Sequence, residues 1–300
     1  MTDISCNRET YPLSVVIATL GGDTLAGTIE QLNRGTIVPA EILICIPEEE
    51  SSRAERLSFG NVKIVKTACR GQVAQRAVGF QRASHELVLQ LDDDLLVDKH
   101  CVEHLVNALT VHGGKTAVAP SLVLASSGLS CYRETRNRTL LGIYYWLMNG
   151  TRGYRPGSIT KAGTNIGIDP AVLEREIVEV EWVAGGCVMH HRNNLILDDF
   201  YPFDGKAYCE DLYHSHHLRR KGLMLLVCTA ARCSNDDAPP SSRMSVPAFL
   251  GYVRAELKAR RHFVRLSARS IPRMYLHYVI IILLYMNARL RQLFRRGTRV

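Results

Sequence analysis

The sequence predicts an α/β protein: a mixed, mainly parallel sheet flanked by helices, followed by a helical tail. Short apolar runs of strand length alternate with segments of helical period. Three aspartates, Asp92-Asp93-Asp94, close one of those runs, and residues 246–300 carry twelve Lys/Arg against the single acid Glu256.

The first run, Leu13-Ser14-Val15-Val16-Ile17-Ala18, has no helical period and reads as a strand buried on both faces. Thr19-Leu20-Gly21-Gly22 turns the chain. A helix capped by Asp23 or Thr24 follows, with Leu25, Ile29 and Leu32 at i, i+4 and i+7 and Gly35 just past its end. Residues 41–46 and 62–65 are further strands, and a helix from about Gly71 carries Val73, Ala77 and Phe80 on one side. Leu87–Leu91 is a strand running into the aspartates, a helix follows from Asp98, and residues 116–119 form another strand. Residues 121–181 are less regular, with an apolar patch at 140–148. Regularity returns with a strand over 182–189 that includes Gly185-Gly186, a helix over about 209–221 and a strand over 223–227. Ligands in such sheets bind beyond the carboxyl ends of the strands.

Composition is ordinary for a globular chain, with 46% hydrophobic and 22% charged residues. The net charge of +8 is unevenly held: residues 246–300 are +11 and the preceding 245 are −3, so the basic character belongs to a tail. This divides the chain into an α/β domain over 1–233, a polar linker over 234–245 and the tail over 246–300. Nine single cysteines with no CxxC pair, and no signal-peptide pattern, lead to the expectation of a reducing cytosol.

Asp92 and Asp94, two apart in an extended segment, are expected on one side of the chain, where two carboxylates suit Mn2+ or Mg2+ completed by water and phosphates. A solvated acidic turn is the plainer reading of three aspartates; the buried strand ahead of them favours a site. Glu210-Asp211 heads a helix. One carboxylate there can simply favour the helix N-terminus, but opposite a leaving group it can serve as general base to a hydroxyl. Arg76, near Gly71, Gln75 and Gly79, offers paired donors to a pyrophosphate or lies on a solvated helix face. His214, His216 and His217 read as surface or packing residues, with a metal ligand among them as the alternative.

These features together resemble family 2 glycosyltransferases of the GT-A fold, over roughly residues 11–230. The resemblance rests on the opening strand 14–19, the Gly71, Arg76 and Gly79 helix, Asp92-Asp93-Asp94 in the DXD position and Glu210-Asp211 in that of the family's ED pair. It implies an inverting transfer from a nucleotide-sugar, with Thr19, Arg76, Asp92, Asp93 and Asp94 at the donor and Asp92 and Asp94 at the metal. Asp211 is then the base, with Glu210 its alternative or helper. Where many members carry an aspartate contacting the nucleotide base, this chain has Pro47-Glu48-Glu49-Glu50, and Glu48 or Glu49 takes that place. No QxxRW motif occurs at residues 217–222, which favours one sugar per transfer over polymer synthesis.

The apolar stretch 274–286, thirteen residues, rises about 20 Å as a helix against a hydrocarbon core of about 30 Å. Its flanking arginines suit a helix lying in an anionic membrane interface, and burial against the domain is the alternative. The expected partners are therefore a nucleotide-sugar, a glycan or lipid-linked acceptor, and the inner face of a membrane, with no nucleic acid. A sugar-phosphate nucleotidyltransferase would need a basic residue in the first turn, and residues 19–23 have none. A membrane-associated scaffold that kept the fold without activity is expected to lose its metal or base carboxylate, and both are present.

Overall fold

The computed structural model describes residues 10–132, 138–173, 175–235 and 244–297. They form two compact units, one from residues 1–133 and 168–236 and the other from 134–167 and 237–300.

The first unit is a nine-stranded sheet in the order β3-β2-β1-β4-β8-β6-β9-β5, with β7 paired to β9. β1 (Tyr11–Ala18) lies between β2 (Pro39–Pro47) and β4 (Leu87–Asp92), parallel to both, and β3 (Val62–Thr67) extends the parallel set. Alternation along β1 explains why the whole run is apolar. Val15 and Ile17 enter one core with α1 (Leu25–Arg34) and α3 (Cys101–His112), whereas Val16 enters the opposite one with Cys45, Phe80 and Val88. Each such side chain contributes about 1.5–3 kcal/mol on burial. α2 (Gln72–Arg82) reaches that second face through Gly79, where a Cβ would lie 2.5 Å from both Cys45 Sγ and Val16 Cγ1. Only a glycine lets the helix approach so closely.

Register then builds a shared edge. Ala18 pairs with Cys45 on one side and Asp92 on the other, so three strands end together. β8 (Cys187–His191) runs antiparallel to β4 with Leu91 opposite Cys187, which brings the residues just before β8 beside Asp92. β6 (Thr116–Leu124) joins β8 to β9 (Met224–Asn235).

Several expected boundaries move. The strand expected over 182–189 begins only at Cys187, so Gly185 and Gly186 sit in the turn ahead of it. A short β5 (Leu95–Val97) follows the aspartates and pairs with the end of β9, which takes Ser234 and Asn235 out of the expected linker. Residues 236–243 of that linker lie outside the described residues. β7 (Ile177–Val180) also pairs with β9, and α5 (Glu210–Arg220) occupies the expected helix.

The second unit contains α4 (Arg138–Asn149), α6 (Val246–Leu266) and α7 (Ile271–Gly297). The division expected at residue 246 is thus incomplete, because the irregular stretch ahead of residue 168 folds with the tail. Arg269 donates to the carbonyls of Ile159 (2.6 Å) and Thr160 (2.9 Å), and Ser270 N–H to that of Lys161 (2.8 Å). Phe249 of α6 stacks on Tyr285 of α7 at 3.8 Å, within a core that includes Val253, Met274 and Tyr278. Buried Arg260 pairs with Glu256 and donates to Gly163 O (2.6 Å) and Tyr278 Oη (3.1 Å). α7 is also longer than the thirteen-residue apolar stretch, with a 22-residue portion, Ile271–Gln292, long and apolar enough to cross a membrane.

Candidate active site

At the shared strand edge, Arg76 lies buried between two carboxylates. It pairs with Asp92 Oδ1 and, through Nη1, with Glu210 Oε1 at 2.9 Å. Burial alone would lower the Arg76 pKa, but the charges of Glu210 and Asp92 more than offset this and raise it. The guanidinium is therefore engaged by carboxylates here, whereas the sequence offered a pyrophosphate contact or a solvated helix face. Gln72 Nε2 reaches the same Asp92 Oδ1 at 2.9 Å, so Oδ2 stands clear of both donors.

Glu210 and Asp211 open α5 behind Cys209, whose φ of 59° puts a non-glycine residue in the left-handed region. Asp211 is half-buried and takes a different partner from Glu210: its Oδ1 accepts the Gly185 N–H at 2.9 Å. Burial raises the Asp211 pKa well above the usual carboxylate range. The neighbouring Glu210 adds to the rise, and the Gly185 N–H opposes it. A Cβ at Gly185 would sit 2.7 Å from Asp211 Oδ1 and 2.8 Å from Glu210 Oε2, so a glycine is required for this contact. Gln90 fixes the turn by donating to the Gly185 carbonyl, and Asp92 N–H donates to Gly186 O at 2.7 Å. Tyr132 packs edge-on against Trp182 at 5.6 Å, and its hydroxyl pKa rises through burial and the nearby Asp211 charge.

The aspartate run does not stay extended. The strand ends at Asp92, and Asp93-Asp94 turn into β5, which separates the side expected to be common to Asp92 and Asp94. Asp93 accepts from the Thr19 hydroxyl through its carboxylate and from Thr28 Oγ1 through its carbonyl at 2.9 Å. Burial raises the Asp93 pKa against the pull of that Thr19 bond. Thr19 and Asp93 line a cavity of about 700 Å³ with Arg70, Gln72, Gln75 and Lys206. Asp94 is exposed and borders a different, smaller cleft beside Asp23 and Thr24.

Gln75 is buried and structural, its Nε2 donating to Thr19 O (2.9 Å) and Cys45 O (2.7 Å). Glu48 and Glu49 are exposed on a 3-10 turn and line no part of the large cavity. His214 stacks on Phe200 at 5.8 Å, and burial lowers its pKa to about 3. No cluster of three His, Cys, Asp or Glu side chains suited to a metal ion occurs among the described residues. Sequence reasoning missed Gln72, Gln90, Arg70 and Lys206. Gln90 alone left a signal, as the one polar residue in Leu87-Val88-Leu89-Gln90-Leu91.

This edge, a cavity beside carboxylates at the carboxyl ends of parallel strands, is the ligand-binding region of an α/β nucleotide-binding fold. The family model for glycosyl transferase family 2 matches residues 14–175, more than half of the chain, and the chain belongs to that family. A crystal structure of GalNAc-T7 with UDP, GalNAc and Mn2+ superposes with a TM-score of 0.54 at 19% identity, covering 81% of this chain and 47% of that one. The chain thus spans about half the length of that protein. The fold is GT-A. Residues 1–349 of S. aureus TarS, in complex with UDP-GlcNAc, align over 82% of this chain and 66% of that one, with a TM-score of 0.48 and 13% identity. Comparison with curated protein sequences gave no match. The family match ends before Glu210-Asp211, so the place of that pair rests on the geometry alone.

Proposed function

We propose that the protein is an inverting glycosyltransferase that moves one sugar from a nucleotide-sugar to an acceptor hydroxyl, with Asp211 as the general base. One contrast carries this reading: Glu210 is tied to the Arg76 cation, whereas Asp211 accepts the Gly185 N–H through Oδ1 and stands beside Glu210 in the same cluster. Asp211 takes the hydroxyl proton as the acceptor oxygen bonds to the anomeric carbon from the face opposite the leaving group. The bond to the phosphate oxygen breaks, and its electron pair departs with the nucleoside diphosphate. The raised pKa of Asp211 makes its carboxylate a stronger base than an ordinary aspartate.

Thr19 and Asp93 line the cavity that would take the nucleotide, and Arg70 and Lys206 bring positive charge to its wall. A divalent ion, Mn2+ or Mg2+, would be held from the Asp92-Asp93-Asp94 turn, where Asp92 Oδ2 stands clear of Arg76 and Gln72, and would neutralise charge on the diphosphate. Arg76 keeps Asp92 and Glu210 in place before substrate arrives, so little reorganisation is needed during transfer. The acceptor class is a surface glycan or glycolipid precursor, at the cytoplasmic face of a membrane.

The test is a screen of nucleotide-sugars with Mn2+ or Mg2+, following thermal shift and donor hydrolysis. One donor should stabilise the protein in a metal-dependent way, and Asp211→Asn should bind it while losing hydrolysis. Absence of any donor-dependent shift, or full hydrolysis by Asp211→Asn, would overturn the reading.

A further inference from the structure

α7 has no charged residue from Met274 to Ala288, yet it is buried along only one stripe, where Met274, Tyr278 and Tyr285 face α6. Val279, Leu283, Leu284 and Met286 are exposed, each by more than half of its surface. A helix of a water-soluble protein presents polar residues opposite its packed face. This one presents a second apolar face.

α4 repeats the pattern. Leu140, Ile143 and Trp146 recur at three-residue spacing and are exposed by 72%, 52% and 60%. The two helices are joined by a hydrogen bond between Tyr144 Oη and His277 Nδ1 at 2.8 Å, and by Arg273, which donates to the carbonyls of Leu147 and Trp146. Exposed apolar surface on two connected helices calls for an apolar partner.

Charge identifies that partner. Arg254, Lys258, Arg261 and Arg265 are exposed on α6 at spacings of four, three and four, a single cationic stripe. Glu256 is the sole carboxylate side chain among the described residues of this unit, and it is engaged by Arg260. We propose that the second unit docks on a bilayer bearing anionic headgroups. α7 and α4 lie in the interface with their exposed apolar residues among the acyl chains, and the α6 stripe meets the headgroups.

Lying in the interface fits better than crossing. One face of α7 is already covered by α6, so an α7 inserted across the membrane would have to shed the Phe249–Tyr285 stack or carry the α6 cations into hydrocarbon. The surface lies wholly within one unit and does not depend on the transferase reading.

The experiment uses the full chain with vesicles of phosphatidylcholine alone and of phosphatidylcholine with phosphatidylglycerol, read by co-sedimentation and by tryptophan emission. The chain has two tryptophans; Trp182 is buried and Trp146 exposed, so a blue shift reports α4 entering lipid. Binding and a blue shift are expected with the anionic vesicles, weakened at least tenfold by the exposed-site pair Val279→Glu and Leu283→Glu. Reversal of Arg254 and Arg261 to Glu should remove the preference for anionic vesicles. Circular dichroism and donor hydrolysis in detergent-free buffer report whether each variant is folded and whether transfer chemistry survives, so membrane docking and catalysis fail separately. No sedimentation by the folded wild type, or binding indifferent to the α7 pair, overturns the proposal. Retention in vesicles after alkaline carbonate extraction overturns the interfacial mode in favour of crossing.

Discussion

Arg76 and Glu210, 134 positions apart in sequence, meet at 2.9 Å in the buried centre of the candidate site, and Asp92 completes the group on the other side of the guanidinium. Removing the cation leaves two carboxylates facing each other with Asp211 close by, so Arg76→Ala should cost about 3–5 kcal/mol in urea unfolding. Arg76→Lys restores one charge but not the two-sided contact and should recover only part of that loss. An Arg76→Ala protein as stable as wild type would show that the pairs contribute nothing net.

Asp211 is predicted to trade stability for function. Its folded pKa is raised, so the folded state binds this proton more readily than the unfolded chain does. The associated stability is present at low pH and is lost as pH rises from the ordinary aspartate value through the folded one. Asp211→Asn removes that loss and should raise stability at neutral pH by about 1–2 kcal/mol while abolishing transfer. In the wild type, kcat/KM should fall on acidification with an apparent pKa above the usual carboxylate range.

Gly185→Ala tests the close approach of backbone to Asp211. Its Cβ would meet both Asp211 Oδ1 and Glu210 Oε2 inside 3 Å. Transfer should fall about a hundredfold as Asp211 is displaced, since small misplacements at a reacting centre have effects of that order. Donor affinity, measured by calorimetry, should change far less.

Cys209 holds a left-handed conformation immediately before Glu210-Asp211. Replacement by glycine relieves a backbone cost of about 1 kcal/mol and should stabilise the fold by a similar amount. Thermal unfolding checks this, and an unchanged or lowered Tm contradicts it.

Glu41 supplies an acid-stability prediction. Burial would raise its pKa, but hydrogen bonds from Ser14, from Ser84 and from Lys63 prevail and bring it to about 2. Its contribution is complete above the ordinary glutamate value of 4.5 and is lost as pH falls towards 2, so wild type should weaken through that window. Glu41→Gln should be less stable at neutral pH and lack that part of the acid transition.

What could be read from the chain follows from what each signal depends on. Val15, Val16 and Ile17 announce a doubly buried strand because the alternation of side chains is local, and Leu25, Ile29 and Leu32 announce a helix for the same reason. The positions of Asp92, Glu210 and Asp211 were legible because strand ends and helix starts confine where their side chains emerge. Their partners were not. Arg76 looked like a phosphate ligand because nothing local shows that β8, antiparallel to β4, brings Gly185 and α5 against the end of β4. The turn at Asp93-Asp94 was equally hidden, since it exists to send β5 towards the distant end of β9.

By itself the sequence determined the α/β alternation, the family, the carboxylates and the basic apolar tail, all set by periodicity and composition along short stretches. Only the tertiary structure decided that Arg76 faces inward, that Glu210 is tied to it while Asp211 accepts the Gly185 N–H, and that residues ahead of 168 fold with the tail. Those outcomes depend on strand order and on contacts between residues far apart in the chain, where the placement of one charge is fixed by the burial of another.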